Sequence, residues 1–162
     1  MLIYLRHGDD RGNDVYRHDR PLNDRGRKKA GKAFGDLAEK YGHPDTVFVS
    51  PFRRAIQTLE ALTERFKRPV AIHRDPRVAQ YLGGKHDPSV SPETADHIAI
   101  NESRDAFRAR VHDHVEDVRR HNQAGAAIWC ITHQIVIEEV AEGFGVKIPG
   151  DLDFLAHVVM LR

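Results

Sequence analysis

Short apolar runs alternate with segments of helical periodicity along this chain, and this alternation limits the possible folds more than any other feature. The pattern predicts strands at residues 1–5, 46–50, 69–73, 126–131 and 154–161. It predicts helices at 23–41, from Pro51 to about Phe66, at 103–122 and at 135–144. Such an order is typical of a largely parallel sheet covered by helices on both faces. We therefore expect a three-layer α/β/α sandwich.

Chain length and net charge limit the number of domains and the kinds of binding partner. The 162 residues fit one domain, 1–162, with room for a sizeable core. The net charge of +1 gives no general attraction to nucleic acid or to an anionic membrane. No apolar stretch approaches the roughly 18–20 residues that cross a bilayer. We expect a cytoplasmic protein that binds neither nucleic acid nor membrane, and the sequence leaves the oligomeric state open.

Residues 75–101 interrupt the alternation. Prolines and a glycine pair in this stretch predict an irregular segment with one short helix near 92–98. Long irregular segments in compact domains are often functional, so we expect this one to form a short cap or specificity loop.

Polar side chains follow three of the predicted strands. Arg6-His7-Gly8 follows the first, Ser50 to Arg54 the second, and Thr132-His133-Gln134 the fourth. Ligands of such sheets bind beyond the carboxyl ends of the strands, so we expect these side chains to meet at one edge.

These residue types suit the chemistry of a phosphoryl group. Arginine presents a planar fork of donors to phosphate oxygens. A neutral imidazole can attack phosphorus and form an intermediate that water then hydrolyses. Gly8 would let the backbone approach the ligand, and a helix starting near Pro51 would direct its N-terminus at the anion.

Other polar and sulfur-containing residues have ordinary explanations. His112, His114 and His121 lie in a charged helical stretch, where we expect them to be solvated. Cys130, the single cysteine, lies in an apolar run, which predicts a buried structural thiol. A single Arg-His pair after a strand is also common in ordinary loops. The phosphate site is favoured because charged or polar residues follow three strands of the same sheet.

The motifs extend over nearly the whole chain. Leu5 to Gly8, followed by Asn13, is similar to R-H-G-E-x-x-x-N, and 21–30 is similar to P-L-T-x-x-G-x-x-x-A. Residues 50–58 are close to S-P-L-x-R-A-x-Q-T, 101–110 to G-E-S-x-x-x-F-x-x-R, and 131–134 to V-S-H-G. In this order the motifs resemble the histidine phosphatase superfamily, the phosphoglycerate mutase-like group, in its short single-domain branch.

The resemblance implies a phosphoglycerate mutase-like fold and a phosphate pocket. It assigns His7 as the nucleophile, identifies Arg54 rather than Arg53 as a phosphate ligand, and makes His133 the second histidine. Arg6 completes the catalytic set, and Asn13 is a fifth phosphate contact. Gln134 replaces a glycine, where it would reshape the pocket floor or bind the phosphate. No metal or other cofactor is required, because the arginines supply the positive charge.

The sequence departs from the family at the proton donor. Many members have a glutamate shortly after the third strand, where this chain has Gln80, and an amide is no general acid at neutral pH. Either another residue donates the proton, or the substrate has a good leaving group, such as phosphohistidine. The candidate donors are Asp9, Asp10, His86, Asp87 and Glu102.

The sequence favours a metal-independent phosphomonoester hydrolase acting on a small phosphorylated metabolite or on phosphohistidine in a protein. Two alternatives remain at this point. One is phosphoryl transfer of the phosphoglycerate mutase type, against which the short length and Gln80 argue. The other is a phosphate-binding regulatory module with little or no turnover.

Overall fold

The computed structural model describes residues 1–12, 18–83, 90–98, 101–123, 125–148 and 150–161. Within these residues, the strands are β1 Leu2–Arg6, β2 Thr46–Val49, β3 Ala71–Arg74, β4 Ile128–Thr132 and β5 His157–Leu161. The helices there are α1 Asp24–Tyr41, α2 Arg53–Thr63, α3 Pro92–Ala95, α4 Arg104–Gln123 and α5 Gln134–Phe144, and a 3-10 turn covers Pro76–Val78. The predicted order of strands and helices is confirmed.

The five strands form one sheet in the order β3-β2-β4-β1-β5. β1 and β2 both pair in parallel with β4, and β3 pairs in parallel with β2. β5 runs antiparallel to β1 at the sheet edge. The three strands that precede the predicted site residues are therefore neighbours, and their carboxyl ends share one edge.

Two apolar cores lie on opposite faces of the sheet. Alternate residues of β1 separate between them, with Ile3 and Leu5 on one side and Leu2 and Tyr4 on the other. Apolar residues of α1 and α2 fill the first core, and those of α4 and α5 fill the second. This arrangement confirms the three-layer sandwich.

The second helix begins later than the sequence predicts. Phe52 has an extended backbone (φ −63°, ψ 138°), so α2 starts at Arg53 and Pro51 lies outside it. The buried carboxylate of Asp19 accepts a hydrogen bond from the Arg53 backbone N–H at 2.9 Å. This side chain thus satisfies a donor that a helix start leaves free, and Asp19 rather than a ligand holds that N–H group.

The expectation that His114 is solvated is wrong. Its side chain is fully buried, and its Nδ1–H donates to Asp75 Oδ2 at 2.9 Å. Burial lowers the pKa of His114, which keeps the imidazole neutral. Burial would raise the pKa of Asp75, but hydrogen bonds from His114 and Arg77 hold it well below its usual range. His112 and His121 are exposed as expected.

Other predictions from the sequence have mixed outcomes. Cys130 is fully buried in β4, which confirms the expected burial of the thiol. The short helix predicted near 92–98 covers only Pro92–Ala95. Of the helices in the described part of the chain, none is both long and apolar enough to span a bilayer.

Candidate active site

β1 and β4 place two histidines side by side. Arg6 and Thr132 end these strands as a register pair, and the backbone N–H of His7 donates to the Thr132 carbonyl at 2.9 Å. His7 and His133 each follow directly, and their ring centroids lie 5.1 Å apart. The two imidazoles predicted to act together are therefore in contact distance.

The His7 ring is held in one tautomer. Its side chain is buried, and Nδ1 lies 2.8 Å from the Gly8 carbonyl oxygen, which can only accept. Nδ1 therefore carries the proton, and Nε2 carries the lone pair that can accept a hydrogen bond or attack a ligand. Burial and the positive charge of Arg54 lower the pKa of His7 well below its ordinary value. The imidazole is thus neutral at pH 7, as nucleophilic attack requires.

Arg54 lies between the two histidines. Its Nε donates to His7 Nε2 at 3.1 Å, and its Nη2 lies 3.1 Å from His133 Nδ1. Burial lowers the pKa of this guanidinium to about 10, so it stays charged at neutral pH. Its neighbour Arg53 is half-buried and does not line the cavity beside His7. The structure therefore brings Arg54, and not Arg53, to His7, the predicted nucleophile.

His133 lies behind this pair. Its Nε2 is 2.8 Å from the hydroxyl of Ser50, the residue after β2. Because Arg54 can only donate to Nδ1, the proton of a neutral His133 is on Nε2, facing Ser50. Burial, Arg54 and His7 together lower the pKa of His133 well below its ordinary value.

Three neighbouring groups orient Arg6: the Gln134 side chain, the Leu152 carbonyl and the Phe154 ring. Its Nη1 donates to Gln134 Oε1 at 3.0 Å and to the Leu152 carbonyl oxygen. Its guanidinium carbon lies 4.5 Å from the centre of the Phe154 ring. Gln134 is not among the residues that line the cavity, so the glutamine at this position contacts the arginine instead of forming the pocket floor.

A cavity of about 240 Å³ opens in front of His7. Its lining residues are Arg6, His7, Asp10, Arg11, His18, Arg20, Arg54, Gln80 and Phe154. Four arginines line a space large enough for a phosphoryl group and a small substituent. Asn13, His86 and Asp87 lie outside the described residues. Among the side chains that are described, no group of three His, Cys, Asp or Glu residues is arranged to hold a metal ion.

The three described candidates for the proton donor differ in position. Asp9 is clamped by Arg11 through two side-chain hydrogen bonds of 3.0 and 2.6 Å, and these hold its pKa far below the usual range. Glu102 forms a two-point ion pair with Arg110 and does not line the cavity. Asp10 does line it, with Oδ2 3.6 Å from Arg54 Nε.

Gln80 occupies the cavity wall, as the comparison with the family's acid position suggests. Its Oε1 accepts a hydrogen bond from Arg54 Nη2. The 3-10 turn before it is held by the Thr132 hydroxyl, which donates to the Val78 carbonyl at 2.6 Å. The amide therefore orients the guanidinium and has no proton to give as an acid.

Several supporting residues were not identified from the sequence as such. The Thr58 hydroxyl accepts from the Gly8 N–H at 2.9 Å and donates to the Arg54 carbonyl at 2.7 Å, which ties the loop after β1 to α2. A Cβ on Gly8 would lie 3.2 Å from Leu22, so Gly8 permits packing of its own loop instead of contact with a ligand. A Cβ on Gly26 would lie 2.2 Å from the Asp9 carbonyl oxygen.

The chain matches a known protein family over most of its length. The model of the histidine phosphatase superfamily (branch 1) matches residues 2–149, most of the chain. No curated protein sequence matches the chain.

Solved structures share the fold at low sequence identity. The protein histidine phosphatase SixA, complexed with tungstate, has a TM-score of 0.64 and 21% identity, covering 95% of this chain and 83% of its own. A mycobacterial glucosyl-3-phosphoglycerate phosphatase with VO3 has a TM-score of 0.66 and 22% identity, covering 96% and 88%. A phosphoserine phosphatase from Entamoeba histolytica has a TM-score of 0.67 and 16% identity, and the match covers 96% of this chain and 87% of that protein. At this identity the likeness confirms the predicted fold alone.

Proposed function

Because the chain belongs to the histidine phosphatase superfamily (branch 1), we propose that it is a metal-independent phosphomonoester hydrolase with His7 as its covalent nucleophile. One observation carries the proposal: a buried imidazole with its proton on Nδ1 lines a cavity together with four arginines, one of which donates a hydrogen bond to its Nε2. That combination supplies a nucleophile and charge stabilisation for a phosphoryl group at the same point.

In the first step, Arg6 and Arg54 bind the phosphoryl oxygens, and the bound anion displaces the Arg54 N–H group from His7 Nε2. The Nε2 lone pair then forms a bond to phosphorus while the bond to the leaving oxygen or nitrogen breaks. The imidazole becomes positively charged, and the Gly8 carbonyl, 2.8 Å from Nδ1, stabilises this charge. His133 becomes protonated when the anion lies beside it, and donates to a phosphoryl oxygen.

In the second step, water attacks the phosphorus of phosphohistidine. The P–N bond breaks, the electron pair returns to Nε2, and orthophosphate leaves. The arginines stabilise the negative charge of this transition state as they do in the first step. No metal takes part in either step.

Neither Gln80 nor Asp9 can protonate the leaving group as an acid. Gln80 is an amide, and an ionised carboxyl group such as that of Asp9 only accepts. We therefore propose that the enzyme prefers substrates whose leaving group departs without a strong acid, such as aryl phosphates and phosphohistidine. Activity toward p-nitrophenyl phosphate should exceed that toward an alkyl phosphate by about 10²–10⁴, the usual contribution of a general acid. Similar rates on the two esters would mean that a donor exists.

The direct test is trapping of the phosphoenzyme. Wild-type protein incubated with p-nitrophenyl phosphate and a chelator should turn over and accumulate an acid-labile phosphoryl group on His7, located by mass spectrometry. His7→Ala should abolish both signals. His112→Ala, which changes an exposed histidine on α4, should retain both.

The two alternative functions, a regulatory module and a mutase, predict different results in this experiment. A regulatory module would bind orthophosphate or vanadate at the cavity, yet form no phosphoenzyme and release no nitrophenol. A mutase would transfer the phosphoryl group to a hydroxyl acceptor faster than to water. Equal activity in wild type and His7→Ala would eliminate the covalent mechanism altogether.

A further inference from the structure

The first half of α1 presents an exposed row of cations. Arg25, Lys28, Lys29 and Lys32 are spaced three, four and seven residues from the first, so they lie on one face of the helix. All four are exposed, and we call them the basic stripe. The opposite face of α1 carries the buried residues Ala30, Phe34 and Leu37.

The basic stripe does not stabilise its own helix. Like charges at these spacings repel one another. Arg25, in the first turn of α1, also opposes the helix dipole, which favours acidic residues there. Among the side chains that the structure describes, none within 4.0 Å forms an ion pair with any of the four. The arrangement therefore costs stability, and binding of an anion from outside would offset that cost.

Acidic side chains lie near parts of the stripe without pairing with it. Asp24 precedes it, and Asp36 follows one turn later on the helix. Glu60 of α2 and Glu64, the residue after α2, line a groove together with Lys28. Lys29 and Lys32 lie away from this groove, so their charges are the ones most available to a partner.

The stripe begins beside the candidate active site. The backbone N–H of Asn23, the N-cap of α1, donates to the Asp9 carbonyl at 3.0 Å, and Gly26 packs against that same oxygen. Because α1 follows β1, its first turns lie at the sheet edge that carries His7. Arg20 lines the adjoining cavity mouth, so positive charge continues from the cavity onto the helix.

We propose that the basic stripe is a docking surface for an acidic protein that presents a phosphorylated side chain to His7. This inference rests on the proposed function. A small metabolite fits within the cavity and would not need charges on the outer face of α1. An extended nucleic acid would require a larger excess of positive charge than this chain of net charge +1 carries. Charges at the rim of an interface act mainly by accelerating association, so the effect should appear in kcat/KM.

The test compares two synthetic peptides of equal length, each with one phosphohistidine introduced by phosphoramidate. One peptide has Asp and Glu around the histidine, and the other has Ser and Gln. The stripe variant is Lys29→Glu/Lys32→Glu. The matched control is Lys67→Glu/Lys147→Glu, which makes the same change in net charge at exposed positions after α2 and α5.

At low salt, the stripe variant should lose about tenfold in kcat/KM on the acidic peptide, and added salt should shrink this loss. It should stay within about twofold of wild type on the neutral peptide and on p-nitrophenyl phosphate. The control variant should match wild type on all three substrates. A loss smaller than twofold on the acidic peptide, or an equal loss on both peptides, would overturn the proposal.

Binding assays separate this inference from the proposed function. Fluorescence anisotropy of the unphosphorylated acidic peptide should show salt-sensitive binding to wild type and to His7→Ala, and weaker binding to the stripe variant. This result would support the docking surface even if wild type failed to hydrolyse any phosphate. Tighter stripe-dependent binding of single-stranded DNA or of phosphatidylserine vesicles than of the acidic peptide would assign the surface to those partners and overturn the proposal.

Discussion

Replacement of Arg54 by alanine is the sharpest test of the proposed phosphate-binding site, because the same replacement of the neighbouring Arg53 serves as a matched control. Arg54 directs Nε and Nη2 toward His7 and His133, at 3.1 Å each, and these two groups would face the phosphoryl oxygens once the anion enters. Hydrogen bonds to charged groups contribute about 1.5–3 kcal/mol each. Two of them amount to about 3–6 kcal/mol, or a loss of about 10²–10⁴ in kcat/KM at 1.4 kcal/mol per tenfold.

The assay is kcat/KM for p-nitrophenyl phosphate, with thermal unfolding measured for each variant. Arg54→Ala also removes a buried charge 3.6 Å from Asp10, so some loss of stability is expected. Arg54→Lys keeps the charge but not the planar fork, and should lose about 10–100-fold. Arg53→Ala should stay within about threefold of wild type. A larger loss for Arg53→Ala than for Arg54→Ala, or no loss for Arg54→Ala in folded protein, would refute the assignment.

Three further predictions concern pH and packing. Because the pKa of His7 is lowered, the nucleophile stays unprotonated below pH 6.5, and kcat/KM should hold its plateau as pH falls through that value in a pH–rate profile. His114→Phe removes a hydrogen bond to the buried Asp75 and should lower Tm by about 5–10 °C at pH 7. Since the folded-state pKa of Asp75 is depressed, its pairing stabilises the fold above about pH 4, so the difference in Tm should shrink below pH 4. Gly26→Ala should lower Tm by several degrees through steric overlap with the Asp9 carbonyl oxygen, whereas Gly35→Ala, on the open side of α1, should leave Tm unchanged or raise it.

The strand ends that form the site could be predicted because the relevant pattern is local. Apolar runs ending in Arg6-His7 and in Thr132-His133 identify β1 and β4, and parallel strands bring their carboxyl ends to one edge. The choice of Arg54 over Arg53 needed the resemblance to a family, since spacing alone does not distinguish two adjacent arginines at a helix start.

Contacts between segments that are distant in the sequence could not be predicted from such local patterns. Asp19 bonds the backbone of Arg53, 34 residues away, and no periodicity links the two. The last strand starts at His157 rather than Phe154 because Leu155 has a φ of 63°, which no apolar pattern reveals.

The burial of His114, which we did not predict, is indicated by its spacing in the sequence. His114 lies seven residues after Phe107 and three after Val111, on the buried face of α4. This helical spacing from buried apolar residues predicts burial of the side chain, although its neighbours in the sequence are charged.

The residues that we propose to bind the phosphate already have hydrogen-bond partners before any ligand arrives. Arg54 bonds His7, His133 and Gln80, and Arg6 bonds Gln134. An incoming phosphate must therefore exchange existing hydrogen bonds, and the free energy gained is the difference between two bonded states. Orthophosphate should consequently be a weak competitive inhibitor that leaves quickly, so that the site favours rapid turnover over retention of its product.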